Sequence, residues 1–266
     1  MAFELTEQHI SGFYRDGYTV FRGIIPPALL ADLRRETDKA RELARQGNPQ
    51  AQRLQPVSAY DDLDQNVFAD YANLPPLVAA LENLVGPGTR CGRAGLLGVL
   101  LEPRDRPWCT NWHRDFRDHV RKDIFEAEFR ADWDRQVYDI TCMNQINCAL
   151  WEDNCTWFVP GSHFRQRNLA REEAHLATLP DCNDASLSDE DLEARCRAYA
   201  QGMPEAVQLC LNAGDFALYR PSGWHMGNYL PYRRRATLHD AAMNDDVFAA
   251  WQARNKRWRE VTSAKG

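Results

Sequence analysis

At 266 residues, with a formal net charge of -6 and a pI near 5.7, the chain is long enough to bury a substantial core and lacks the basic balance of a nucleic-acid binder. It has no run of roughly 18 apolar residues, and its N-terminal MAFELTEQHISGFYRDGY carries acidic residues where a secretory signal needs a basic and then an apolar stretch; the expectation is a soluble, cytoplasmic protein without a membrane or nucleic-acid partner. The eight cysteines, at 91, 109, 142, 148, 155, 182, 196 and 210, form no CxxC pair, and several lie in apolar runs, which predicts buried, reduced thiols.

Residues 6–16 open on Thr6 as an N-cap and place Ile10, Phe13 and Tyr14 at helical spacing, so a short amphipathic helix is predicted, ended by Gly17. Residues 18–21 follow as a β-rich strand. Pro26-Pro27 introduces a second helix over 26–45, stopped by Gly47-Asn48-Pro49, and a third is predicted over 76–85, closed by Gly86-Pro87-Gly88. From Arg90 the texture changes to short apolar or alternating runs: 95–101, 137–150, 156–159, 207–211, 215–219 and 235–238. Strands in such succession predict an antiparallel sandwich or barrel.

Two segments leave that pattern. Residues 116–133, dense in charge and aromatics, read as a long connection of the kind that forms lids and binding loops. Residues 168–201 are polar and carry Leu169, Leu176, Leu179, Leu187 and Leu192, a helical or irregular excursion from the sheets. The expected organisation is one α+β domain over 1–266 with a mainly β core. Its parts are helical over 1–89 and β over 90–240, with insertions at about 116–133 and 168–201, and a C-terminal segment over 241–266. No internal repeat is visible.

The chemistry is carried by His113-Arg114-Asp115 and, far downstream, Ser222-Gly223-Trp224-His225-Met226-Gly227-Asn228. Residues i and i+2 of an extended segment point the same way, so His113 and Asp115 can present a nitrogen and an oxygen to one metal. A second histidine completes a set of two histidines and one carboxylate, which occupies one face of a metal and leaves the other open; non-heme Fe(II) oxygenases use that open face for cosubstrate and O2. The bland reading of His225 is a hydrogen-bonded loop histidine. In the arginine run that follows, a strand reading places Arg235, Thr237 and His239 on one face and Arg234 with Ala236 on the other. Arg235 is the expected inward residue, suited to hold an acidic cosubstrate through a bidentate pair, and a one-residue slip would substitute Arg234. Gln145 and Asn147 share one face of an apolar strand; they either bond the cosubstrate or substrate or find partners in solvent and backbone. His163, in the turn Pro160-Gly161-Ser162-His163, reads as structural. Trp112, Phe116 and Trp224 either line the pocket or belong to the core.

These residues resemble the phytanoyl-CoA dioxygenase family of Fe(II)- and 2-oxoglutarate-dependent oxygenases. Phe13-Tyr-Arg-Asp-Gly17-Tyr18-Thr-Val20 is similar to the family's N-terminal helix-to-strand signature, and Val159-Pro-Gly-Ser-His163 to its mid-chain turn. His113, Asp115 and His225 match the ligand positions, Gly227-Asn228 the pair after the distal histidine, and Arg235 or Arg234 the cosubstrate arginine. The connection Tyr229-Leu-Pro-Tyr232 is shorter than the commonest family pattern, which leaves the choice of arginine open. The resemblance implies a double-stranded β-helix, that is, a cupin-like jelly roll, with N-terminal helices on its major sheet. It also implies Fe(II), 2-oxoglutarate and O2 as cofactor and cosubstrates, and oxidation of an unactivated C–H bond of a small molecule, with succinate and CO2 released. Asp115 sets the chain apart from related halogenases, which have a small residue at that position. The rival readings are a zinc hydrolase on the same three ligands, for which no HExxH-type helix is present, and a cupin-like binding module without catalysis.

Overall fold

A computed structural model describes residues 3–178 and 186–264. In chain order the elements are α1 (Glu7–Asp16), β1 (Tyr18–Phe21), α2 (Pro27–Gly47), β2 (Arg53–Leu54), α3 (Gln65–Ala72), α4 (Pro75–Leu84), β3 (Gly98–Leu101) and β4 (Trp108–Cys109). There follow α5 (Lys122–Glu128), α6 (Arg130–Gln136), β5 (Asn144–Ala149), β6 (Thr156–Phe158), α7 (Ala170–Leu176), α8 (Asp189–Gly202), β7 (Val207–Gln208), β8 (Phe216–Tyr219), β9 (His225–Tyr229), β10 (Ala236–Ala242) and α9 (Asp245–Ala264). The strands form a larger antiparallel sheet in the order β1-β8-β5-β10-β3-β2 and a smaller one in the order β4-β9-β6-β7. This is a double-stranded β-helix with a helical layer outside the larger sheet.

Local chemistry accounts for the helical layer. Thr6 caps α1 by accepting from the His9 amide, and the His9 ring accepts in return from the Thr6 amide at 3.0 Å. Gly17 ends the helix in the left-handed region, φ 85, with its amide bonded to the Phe13 carbonyl at 2.9 Å. Proline enters α2 and α4 where an amide donor would be orphaned in any case. The inner faces bury Phe13, Leu33, Tyr71 and Leu81 against Ile146, Cys148, Phe216, Leu218 and Leu238 of the larger sheet. Each such aliphatic or aromatic side chain contributes about 1.5–3 kcal/mol by leaving water.

The period-2 alternation of strands decides what faces the sandwich interior. On β10, Ala236, Leu238 and Ala242 belong to the helix-side core, while Thr237 and His239 point inward. On β5, Ile146 and Cys148 face the helices, and Gln145 and Asn147 face the interior. The pairing register sets His239 opposite Asn147, so polar side chains from neighbouring strands meet.

Several elements differ from the sequence reading. The connection at 116–133 is largely helical: α5 and α6 bury Ile124, Phe125, Phe129 and Trp133 as one cluster, and the charges between them solvate the outer face. The strand predicted over 137–150 begins only at Asn144, because Val137 still closes α6 and a turn bonds the Cys142 amide to the Asp139 carbonyl. His225, for which a loop was one reading, opens strand β9; at Gly227 of that strand a Cβ would lie 2.0 Å from the Tyr229 phenolic oxygen, so a larger residue would displace that ring. The excursion at 168–201 agrees with the helical one of its two readings: it forms α7 and α8, and Leu176, Leu192 and Cys196 pack with Trp157 and Met226 of the smaller sheet. Its Leu179, and Cys182, lie outside the described residues.

Candidate metal centre and cosubstrate cavity

His113 and His225 face each other as an antiparallel bridge, each amide donating to the other's carbonyl at 3.0 Å. Two residues on, the Asp115 amide donates to the Pro221 carbonyl at 2.9 Å, which holds the chain extended past the bridge. Alternation sends the intervening Arg114 the other way, into a buried position 4.0 Å over the Trp224 ring. The three side chains therefore converge. Asp115 Oδ1 lies 3.6 Å from His113 Nε2 and 3.7 Å from His225 Nε2, and one ligand atom from each residue falls within 4.8 Å of the others.

The imidazoles are oriented from behind. His113 Nδ1 is 2.7 Å from the Asn111 carbonyl, and His225 Nδ1 is 2.9 Å from the Gly223 carbonyl. A carbonyl can only accept, so both Nδ1 atoms carry hydrogen, and each Nε2, once unprotonated, is free to offer its lone pair to a metal beside the carboxylate. Two nitrogens and one oxygen on one side of a point, with a cavity on the other, are the donor set of a facial triad. The residues fit a divalent iron.

Electrostatics agree with that fit. Burial pushes the Asp115 carboxyl upward, but His225 and His113 outweigh it and hold the group well below the usual carboxylate range. His113 is pushed down to about 4 by burial and by the neighbouring His225. For His225 burial acts downward and is overcome by Asp115, so its value is raised. In the metal-free site Asp115 is thus held as a carboxylate and His113 is kept neutral, while His225 holds a proton more readily than an ordinary histidine.

A cavity of about 440 Å³ opens in front of the triad, within the size range of small-molecule sites. Arg235 enters it from the strand edge. Its backbone is clamped by an ion pair of other elements: Glu102 accepts from the Arg235 amide at 2.8 Å, and Arg41 of α2, paired with Glu102 at 3.0 Å, donates to the Arg235 carbonyl at 2.8 Å. The side chain is buried, its Nε 3.0 Å from Asp153 Oδ2, and its guanidinium lies 5.2 Å from the Tyr229 ring centre. Burial disfavours its charge, but Asp153 more than compensates, and the guanidinium stays protonated. Arg234 faces the opposite way, over Trp151 and paired with Asp38 at the surface, outside this cavity.

A sequence model of the phytanoyl-CoA dioxygenase (PhyH) family matches residues 13–229. The chain belongs to this family. No curated protein matches the sequence. Among solved structures, AviO1 from Streptomyces viridochromogenes Tue57 is similar at 17% identity, with 92% of this chain and 97% of that chain covered and a TM-score of 0.56. HygX from Streptomyces hygroscopicus, solved with nickel and 2-oxoglutarate, gives 18% identity, coverage of 91% and 88%, and a TM-score of 0.58. EctD from S. alaskensis, solved with 2-oxoglutarate and 5-hydroxyectoine, gives 16% identity, coverage of 90% and 76%, and a TM-score of 0.57. At these identities the likeness is one of fold.

As a member of the phytanoyl-CoA dioxygenase family the protein is a non-heme iron, 2-oxoglutarate-dependent oxygenase. The structure brings His113, Asp115, His225, Arg235, Gln145 and Asn147 to one cavity. Asn147 is engaged within the protein: its amide donates to Thr156 Oγ1 at 2.9 Å, and its carbonyl oxygen is 2.9 Å from His239 Nδ1. Gln145 has a buried Oε1 with no protein partner among the described residues. Phe116 lines the cavity, whereas Trp112 and Trp224 lie in the core beneath α8, and His163 is buried against Gly17.

The sequence reading missed other members of the site. Asp153 fixes Arg235 across 82 positions of chain, a separation at which no local signal exists. His119, whose ring lies 5.2 Å from that of His113, sits on the turn following Asp115. Trp251, Arg254 and Trp258 line the cavity from α9, and their three-and-four spacing could have marked that helix.

Proposed function

We propose that His113, Asp115 and His225 bind Fe(II), that Arg235 anchors the distal carboxylate of 2-oxoglutarate, and that the enzyme oxidises an unactivated C–H bond of a small molecule. Hydroxylation is the simplest outcome: substrate, O2 and 2-oxoglutarate give hydroxylated substrate, succinate and CO2. The observation that carries this reading is the convergence of both Nε2 lone pairs and the Asp115 carboxylate on a cavity that also receives a buried, charged Arg235. Bound iron with its 2-oxo acid supplies the activation of O2; the chain's own residues supply everything else.

Arg235 can offer a forked pair of donors to a carboxylate, and its ion pair with Asp153 keeps it from swinging away. Gln145 is suited to bond the cosubstrate directly, while Asn147 acts through His239, which burial and Arg53 push down to about 3 and so keep neutral. Phe116, Met143 and Trp251 wall the cavity with apolar surface, which excludes water from the oxidant. The whole chain would act as one oxygenase domain. No described helix is long and apolar enough to cross a membrane, and the buried Cys91 and Cys148 thiols suit a reducing, cytoplasmic setting.

The test is an anaerobic titration of metal-free protein with Fe(II) and 2-oxoglutarate. A weak visible charge-transfer band that needs both components is expected. Tight zinc binding with no such band would return the hydrolase reading, and no metal binding at all would leave a binding module.

A further inference from the structure

A second cavity, of about 400 Å³, continues from the first. The two share Asp115, Phe116, Met143, Trp251 and Arg254, but neither ligand histidine nor Arg235 lines the second. Its walls are α6, α9, the connection before β5 and the Pro221-Ser222 turn. It therefore reaches Asp115 without touching His113, His225 or Arg235.

The feature of this cavity that nothing above uses is Arg254. Its guanidinium carbon lies 4.3 Å from the Phe116 ring centre, and Nη1 donates to Gln136 Oε1 at 2.9 Å. Its Nε is buried with no partner among the described residues, and no described carboxylate lies within ion-pairing distance of it. Of the other charges on these walls, Asp132 and Asp115 act on Arg254 from beyond ion-pairing distance, and Arg220, whose Nε is also buried without a partner among the described residues, is turned to the backbone carbonyls of Asp139 and Gln136 at 2.6 and 2.9 Å. Asp132 pairs with Arg135, Asp139 accepts from Thr141 at 2.7 Å, and Asp246 lies at the exposed rim. Phe116, the platform for Arg254, has φ 68, a conformation L residues rarely adopt. An edge-to-face contact with Phe129, centroids 5.0 Å apart, helps to fix it there, immediately after the ligand Asp115. A strained backbone that sets an aromatic ring under an unpaired guanidinium, beside a metal ligand, is a built arrangement.

We infer that this second cavity is the primary-substrate site, and that it selects a small molecule carrying a carboxylate, which Arg254 binds while the apolar body lies along Phe116, Met143 and Trp251 toward the metal. The inference rests on the iron and 2-oxoglutarate reading for what happens to that substrate, but not for its binding. A planar carboxylate matches the fork of a guanidinium already oriented by Gln136 and Phe116, so little ordering is needed on binding.

The experiment uses matched acid and amide probes: 3-phenylpropionate and 3-phenylpropanamide, and hexanoate and hexanamide. Each is titrated calorimetrically into the full-length protein, with and without Fe(II) and saturating 2-oxoglutarate under anaerobic conditions, while the visible band is followed. At least one acid is expected to bind roughly tenfold or more tightly than its amide and to perturb the band. Arg254→Met should abolish that preference while leaving the 2-oxoglutarate midpoint within about twofold; Arg254→Gln, which keeps the contact with Gln136, serves if the methionine variant does not fold. The inference is overturned if no acid outbinds its amide, if the preference survives in the variant, or if the variant instead weakens 2-oxoglutarate. A missing band in wild-type protein would sink the iron and cosubstrate reading alone, since the acid-to-amide ratio is still read by calorimetry.

Discussion

Arg235 and Asp153 form a buried ion pair, Nε to Oδ2 at 3.0 Å, and Thr237 donates to the same carboxylate oxygen at 2.5 Å. The cation that faces the metal site is thus held in place before any cosubstrate arrives. Arg235→Ala should raise the 2-oxoglutarate requirement by at least about tenfold and that for iron far less. It should also cost about 3–5 kcal/mol of stability, because Asp153 keeps its bonds from Thr237 and the Cys155 amide but is left buried without a counter-charge. Adding Asp153→Asn should restore much of the stability and none of the cosubstrate affinity, as thermal unfolding and 2-oxoglutarate titration would record. If Arg234→Ala proved the more damaging, the strand register assigned to the site would be wrong.

Metal affinity should depend on pH through His225. Its raised value means that His225 keeps its proton to higher pH than an ordinary histidine, because Asp115 favours the charged ring, while His113, pushed down to about 4, is neutral across this range. The metal must displace that proton, so affinity is expected to rise about tenfold per pH unit up to the His225 value and then level off. Mn(II) or Co(II) titrations from pH 5.5 to 8.5 would show it; a flat profile would contradict the proton placement. Asp115→Ala should abolish succinate formation.

Acid stability offers a check away from the metal. His163 is buried, and burial with the nearby Arg220 pushes it down to about 4 from the ordinary 6.5. Between those values the unfolded chain binds more protons than the folded one. The contribution is therefore present in full above pH 6.5 and is lost as pH falls toward 4, at up to about 1.4 kcal/mol per pH unit. His163→Gln should flatten the pH dependence of urea unfolding in that window by about this slope; an unchanged slope would mean that His163 titrates normally.

Glycine substitutions in and just after α1 should have opposite signs. At Gly17 an added Cβ meets a φ of 85 and lies 2.3 Å from His163 Nδ1, so Gly17→Ala should lower the melting temperature by several degrees. At Gly12 nothing lies within 4 Å, and Gly12→Ala should raise stability by up to about 1 kcal/mol through helix propensity. Equal effects at both positions would argue against the close approach of His163.

What the sequence disclosed follows from how local each signal is. The His113 and Asp115 pair depends only on side-chain alternation over three residues, and the caps Thr6 and Gly17 only on their own helix; both read directly. The facing of Arg235 follows from the alternation of β10 and was legible once a strand was assumed. Asp153, by contrast, reaches Arg235 through tertiary folding, and Tyr229 covers Gly227 only because β9 exists, so neither left a mark in the linear pattern. Residues 116–133 misled because their apolar positions are spaced for a helix but interleaved with charge. The C-terminal helix α9 passed unread, although Trp251, Arg254 and Trp258 recur at helical intervals.

The two walls of the cavity have different origins. His113, Asp115, His225 and Arg235 stand on or beside strands of the two sheets, whereas Phe116, Arg254 and Trp258 belong to a separate cluster in which α5 and α6 meet α9. The proposed metal-binding wall and the proposed substrate wall therefore rest on different elements and can vary independently. On the proposed assignments, exchanging α5, α6 and α9 for those of a relative is expected to change which molecule is accepted while leaving His113, Asp115, His225 and Arg235 in place.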